Sequence, residues 1–71
     1  MANKRSFYEW LMKQVDRNDP VGDLARDAKS DNQFPVSATH FGRVLGHLAA
    51  MGAGQPAKQA LQEAWREYRS A

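Results

Sequence analysis

The sequence predicts an all-α domain, a compact bundle of short helices, and three observations lead there. Apolar residues recur at intervals of three and four in four separate stretches, and no strand is evident. Helix punctuation stands where those stretches begin and end: Ser6 with Glu9, Asp19 with Pro20, and Gly52 to Gln55 ahead of Pro56. The length of 71 residues fits one domain, and with no cysteine its stability must come from packing, chiefly of two Trp, three Phe and two Tyr. Residues 1–5 read as a flexible N-terminus and 6–69 as the helical domain.

The first helix, Ser6 to Val15 (SFYEWLMKQV), organises the rest. Ser6 and Glu9 form a capping box, in which the hydroxyl accepts from the Glu9 amide and the carboxylate reaches back to the Ser6 amide. Phe7, Trp10, Leu11 and Val15 follow on one stripe, and Tyr8 and Met12 widen it. At this spacing the aromatics read as core rather than as a ligand box.

Asp16 to Asp19 is a polar turn, after which Asp19 caps a second helix with Pro20 in its first turn. Val21, Leu24, Ala25 and Ala28 form the buried face. Asp19, Asp23, Asp27 and Asp31 recur every fourth residue on another, about 6 Å apart along the axis. With no second ligand type nearby, that stripe reads as a solvated face rather than a cation site. Lys29 to Gln33 ends the helix, Pro35 holds Phe34 in extended backbone, and the Phe34 ring is expected to turn inward as a plug between helices.

A third helix is expected to start near Ser37 or Thr39, either of which can cap it, with Phe41, Val44, Leu45 and Leu48 facing the core. Gly42 and Gly46, continued by Ala49 and Ala50, make a small strip that another backbone could approach. Each glycine weakens a helix by about 1 kcal/mol relative to alanine, so the pair calls for a reason. Tight intramolecular packing is the plainer one and a docking surface the sharper one. The last helix opens at Pro56, and Ala57, Ala60, Leu61, Ala64, Trp65 and Tyr68 mark its inner face.

The chemistry this pattern excludes is as telling. No thiol is present, the serines read as caps and loop residues, and no glycine-rich loop follows a strand. His40 and His47 lie seven residues and about 10 Å apart on one helix, too far to share a metal, and no acidic residue of that helix orients either. The expectation is no catalytic, cofactor or metal site. No apolar run approaches the roughly 20 residues that span a bilayer, and the chain reads as cytoplasmic, without a membrane partner.

The stretches SFYEWL, DPVGDLARDAKSDNQFP and EAWREY, in this order and at this spacing, resemble the YozE family of small bacterial proteins. The resemblance runs from about Ser6 to Tyr68 and implies a sterile-alpha-motif-like bundle of four or five short helices. It implies no particular activity, since the matching residues are core, caps and turns. One departure stands out: the family's third helix tends to carry several acidic residues, whereas THFGRVLGHLAAMG has none and offers His40, Arg43 and His47.

These readings converge on a non-enzymatic binding module whose partner is expected to be another protein. The expected protein-binding residues are His40, Gly42, Arg43, Gly46 and His47. The alternative is nucleic acid, held by Lys4, Arg5, Lys13 and Arg17 on and around the first helix together with Lys58, Arg66 and Arg69 of the last. Ten basic against eight acidic side chains leave a net charge of only +2, a weak argument for a polyanion despite a pI near 9.3.

Overall fold

A computed structural model of the chain describes residues 5–71. Residues 1–4, and with them Lys4 and most of the expected flexible N-terminus, lie outside the described residues. Four helices follow in order, α1 (Phe7–Met12), α2 (Pro20–Ser30), α3 (Phe41–Ala50) and α4 (Gln55–Ser70), and there is no strand among the described residues. α4 is the longest, and the other three pack against it.

The capping box forms as expected: the Glu9 amide donates to Ser6 Oγ at 3.1 Å, and the Ser6 amide donates to Glu9 Oε1 at 3.1 Å. α1 ends three residues earlier than its periodicity suggested. The Lys13 and Gln14 amides reach back only three residues, to the carbonyls of Trp10 and Leu11, and the Gln14 side chain takes the Trp10 carbonyl as well. The chain therefore tightens into turns, and Val15 still packs on the core from outside the helix.

Asp19 caps α2, its Oδ1 accepting from the Gly22 amide at 2.9 Å. Gly22 is required at its position. A Cβ there would lie 1.9 Å from the Arg17 carbonyl oxygen, because the α1–α2 turn crosses directly over the first turn of α2. Arg26 reaches the same turn and donates to the carbonyls of Val15, at 2.6 Å, and Arg17, at 3.1 Å.

Phe34 is the expected plug: it is buried, with its ring 5.6 Å from that of Tyr8 and 5.6 Å from that of His47. The start of α3 differs from expectation. Neither Ser37 nor Thr39 caps it; His40 occupies the cap position and its side chain makes no capping bond. Ala38 explains the delay, since it is buried and its carbonyl accepts from the Phe7 amide at 3.3 Å, which holds the linker against α1 until His40. α3 ends at a glycine, as anticipated. Gly52 has φ of 78°, its amide donates to the Ala49 carbonyl, and the Ala53 amide donates to that of Leu48, the paired bonds of a Schellman cap.

The core is aromatic and centred on Phe7, which is fully buried. Its ring lies 4.6 Å from Trp65, 5.5 Å from Tyr68 in an edge-on pair, and 5.9 Å from Trp10. The Tyr68 hydroxyl donates to the Arg5 carbonyl at 2.5 Å, which ties the segment before α1 to the end of α4. Trp10, Leu11, Leu24, Phe34, Leu61 and Trp65 are all buried as expected; Leu45 is only half-buried, packed at the margin.

Candidate functional site

α3 turns Val44 and Leu48 inward, which brings Gly42, Arg43, Gly46, Ala49 and Ala50 to the surface, with exposed His40 at the N-terminal end. A Cβ built on Gly42 or on Gly46 would meet nothing within 4 Å. This corrects the plainer expectation. The glycine strip does not allow close packing inside the domain, because no other backbone among the described residues lies beside it. Two residues that cost a helix stability stand open to solvent on a face without a carboxylate.

His47 does not belong to that face. Its side chain is 15% exposed, Nε2 lies 2.6 Å from Asp31 Oδ2, and the Phe34 ring packs edge-on against its imidazole. The orienting carboxylate absent from its own helix comes from the end of α2, sixteen residues earlier. The His47 hydrogen bond, with a further one from the Gln33 amide, holds Asp31 below the usual carboxylate range. His47 is thus a joint between α2 and α3, and the docking residues expected on α3 reduce to His40, Gly42, Arg43 and Gly46.

Among the described basic residues of the alternative reading, one is taken up within the fold. Arg17 is clamped: Nη1 and Nη2 donate to the two carboxylate oxygens of Glu67 at 2.7 and 3.1 Å, while Nε and Nη2 donate to Asp19 Oδ2 at 3.0 and 2.8 Å. The two acids raise the Arg17 pKa further, and Arg17 in turn lowers Glu67; Asp19 is lowered first by the Gly22 amide and then by Arg17. This guanidinium has no free face for a phosphate, which removes it from the expected basic patch. Arg66 pairs with Glu63 at 3.5 Å, both exposed. Lys13 and Arg69 are exposed, Lys58 is half-buried, and Arg5 lies beside the end of α4. A shallow groove of about 440 Å³ brings Arg66 and Arg69 next to Phe41 and Trp65.

The aspartate stripe is not simply solvated either. Asp19 caps and pairs, Asp23 pairs with Arg26, Asp31 holds His47, and Asp27 is exposed without an ion pair among the described residues. Between α2 and α4 lies a trough of about 880 Å³ that the one-dimensional pattern did not reveal, since it exists only once those helices pack. The signal that could have found it is the four-residue repeat of acids on both helices, at 19, 23 and 27 and at 63 and 67. Among the described residues there is no group of three potential metal ligands, and no helix is long and apolar enough to cross a membrane.

The sequence model of the family described as YozE SAM-like fold matches residues 6–70, nearly the whole chain. The chain belongs to the YozE SAM-like fold family. Relatives share about a third of their residues with it. The UPF0346 protein of Oenococcus oeni is 32% identical over 66 residues, which covers 90% of this chain and 87% of its own. Those of Latilactobacillus sakei and Ligilactobacillus salivarius are 33% and 29% identical, over 92% and 96% of this chain and 90% and 93% of theirs. No solved structure matches. Membership in the YozE SAM-like family agrees with the four-helix, strand-free architecture described above, and the residues behind the resemblance have structural duties: Trp10 and Trp65 in the core, Asp19 at a cap, Gly22 under a crossing turn, Phe34 as the plug.

Proposed function

We propose that this YozE SAM-like protein is a non-enzymatic binding module of the cytoplasm that docks on another protein through the outer face of α3. The observation that supports this reading is the pair of open glycines. Gly42 and Gly46 lie inside a helix, at about 1 kcal/mol each, with no neighbour among the described residues that needs their lack of a side chain. A partner helix laid across them would use that lack. The partner fitting this face has small or flat apolar residues along its contact stripe and carboxylates at its edge, opposite Arg43 and His40. The test is affinity capture from native cell extract with nuclease present. A partner retained by wild type and lost by a folded Gly46→Leu variant supports the reading; equal capture by both removes α3 from it.

One observation favours a second reading, nucleic-acid binding through the basic faces of α1 and α4: Arg66 and Arg69 flank a groove that also contains Phe41 and Trp65. Against it, Arg17 is neutralised, and Lys58 lies eleven residues from Arg69, about 16 Å along α4. The expected result is weak duplex or single-strand binding with no site preference. Submicromolar binding that falls steeply with salt and is abolished by Arg66→Glu would reverse the ranking.

A further inference from the structure

The trough between α2 and α4 has an apolar floor and two acidic margins. Leu24, Ala57 and Ala60 line its base, and exposed Pro20 and Pro56 extend the apolar surface. One margin carries Asp19, Asp23 and Asp27 of α2; the other carries Glu63 and Glu67 of α4. Arg17 is the one basic residue of the lining and is already occupied at one end by Asp19 and Glu67. Along the remainder, Asp27 has no ion pair among the described residues, and Asp23 and Glu63 pair only with exposed arginines on their own helices. A second concavity of about 490 Å³ continues from the first through Leu24, Asp27 and Ala57 toward Phe34 and Met51, the latter 58% exposed. The two make one channel along α2, an element about 16 Å long.

The geometry points to a docking surface for a basic amphipathic helix of a partner protein. The occupant follows from charge and repeat. Acids on each margin recur every fourth residue, about 6 Å apart, the spacing at which Lys or Arg at i and i+4 stand on a helix. A helix of three turns with an apolar stripe toward Leu24 and Ala60, and basic residues at both edges of that stripe, neutralises both margins and covers the floor. Nucleic acid is disfavoured here, because both margins repel phosphate. The surface shares no residue with the outer face of α3.

The probe is a fluorescent synthetic helix of about fourteen residues, with Leu at i, i+3, i+4 and i+7 and Lys or Arg flanking them. The control is the same peptide with Glu in place of every basic residue. The full chain is expected to bind the basic peptide at least about tenfold more tightly than the acidic one, and less tightly as salt rises from 50 to 300 mM. Amide shifts in NMR are expected to map to α2 and α4. Asp27→Lys with Glu63→Lys, both exposed and neither a cap nor part of the Arg17 clamp, is expected to weaken binding at least about tenfold while the melting curve stays cooperative. Gly46→Leu is expected to leave it unchanged, so that failure here and failure of the α3 reading are separable. Equal binding of both peptides, shifts centred on another surface, or binding of spermidine as tight as that of the peptide would overturn the proposal. Undiminished binding by a proline-interrupted version would overturn the helical occupant.

Discussion

Replacing glycine by alanine at two helical positions of this chain is expected to act with opposite signs. At Gly46 the new methyl meets nothing within 4 Å, so the backbone entropy saved in the unfolded chain appears as stability, about 0.5–1 kcal/mol. For a domain of this length that raises the melting temperature by roughly 2–8 °C. At Gly22 the same gain in propensity is offered, but the methyl would stand 1.9 Å from the Arg17 carbonyl oxygen and 2.7 Å from its carbon. Neither atom belongs to a flexible side chain. The turn must lift off α2, which strains the Arg26 bonds to that turn and the Arg17 clamp, and the penalty belongs at or above the upper end of overpacking costs, about 3 kcal/mol. A drop in melting temperature of more than about 10 °C is expected. Circular dichroism at 222 nm, with heat and with urea, measures both variants. Gly22→Ala melting at or above wild type would refute the crossing-turn argument, and Gly46→Ala melting below wild type would show that the α3 face is not open.

Three further outcomes follow from the same contacts. Phe7→Ala or Trp10→Ala removes the centre of the aromatic cluster, at about 3–5 kcal/mol, and is expected to leave the domain unfolded at room temperature; a cooperative wild-type-like melt of Trp10→Ala would deny α1 its organising place. Asp19, Asp31 and Glu67 all have depressed folded pKa values, so their contribution is fully present above the ordinary carboxylate range and is lost as pH falls from about 4 toward the lower folded values. Arg17→Met is expected to flatten the acid limb of urea stability between about pH 5 and pH 2, by about 1 kcal/mol at most since its side chain and that of Glu67 are 31% and 39% exposed; parallel limbs for variant and wild type would contradict this. Zinc titration is expected to show no tight stoichiometric uptake, because His47 is held by Asp31 and the described residues contain no third ligand beside them; one bound zinc per chain would reverse that expectation.

What the sequence disclosed and what it hid divide by the range of the interaction. The capping box, the Asp19 cap with Pro20 behind it and the Gly52 cap depend on residues close in sequence and stand as read, as does the inner face of α4 apart from Ala57, which is half-buried at the trough. The Phe34 plug was legible because the following proline confines its backbone and an aromatic ring has one economical place to go. Missed features depend on how the chain folds back on itself: Asp31 with His47 and Arg17 with Glu67 across the domain, and Gly22 beneath the Arg17 carbonyl where the turn crosses α2. The start of α3 moved for the same reason. Thr39 is a suitable cap by local rules, but the bond from Phe7 to Ala38 holds the linker against α1 past it. The α3 strip inverted its expected meaning because periodicity orders the faces of a helix without saying whether a second helix lies against the small one.

Charge shows why composition alone misleads about partners. The excess of two basic side chains suggests a weak polyanion binder, yet two of the arginines are taken up by partners within the domain. Arg17 neutralises two carboxylates, and Arg26 satisfies two turn carbonyls with Asp23 beside it. The acids, by contrast, are gathered: five of them line one trough, against a single arginine. Local potential follows that arrangement and not the sum, because at physiological salt the screening length of about 8 Å is shorter than the described domain is wide in any direction. A ligand at the trough therefore meets a negative surface on a protein of positive net charge, and a ligand at the outer face of α3 meets Arg43 and His40 with no carboxylate on that helix. The two faces thus differ in sign, and the difference between them rests on side-chain placement alone.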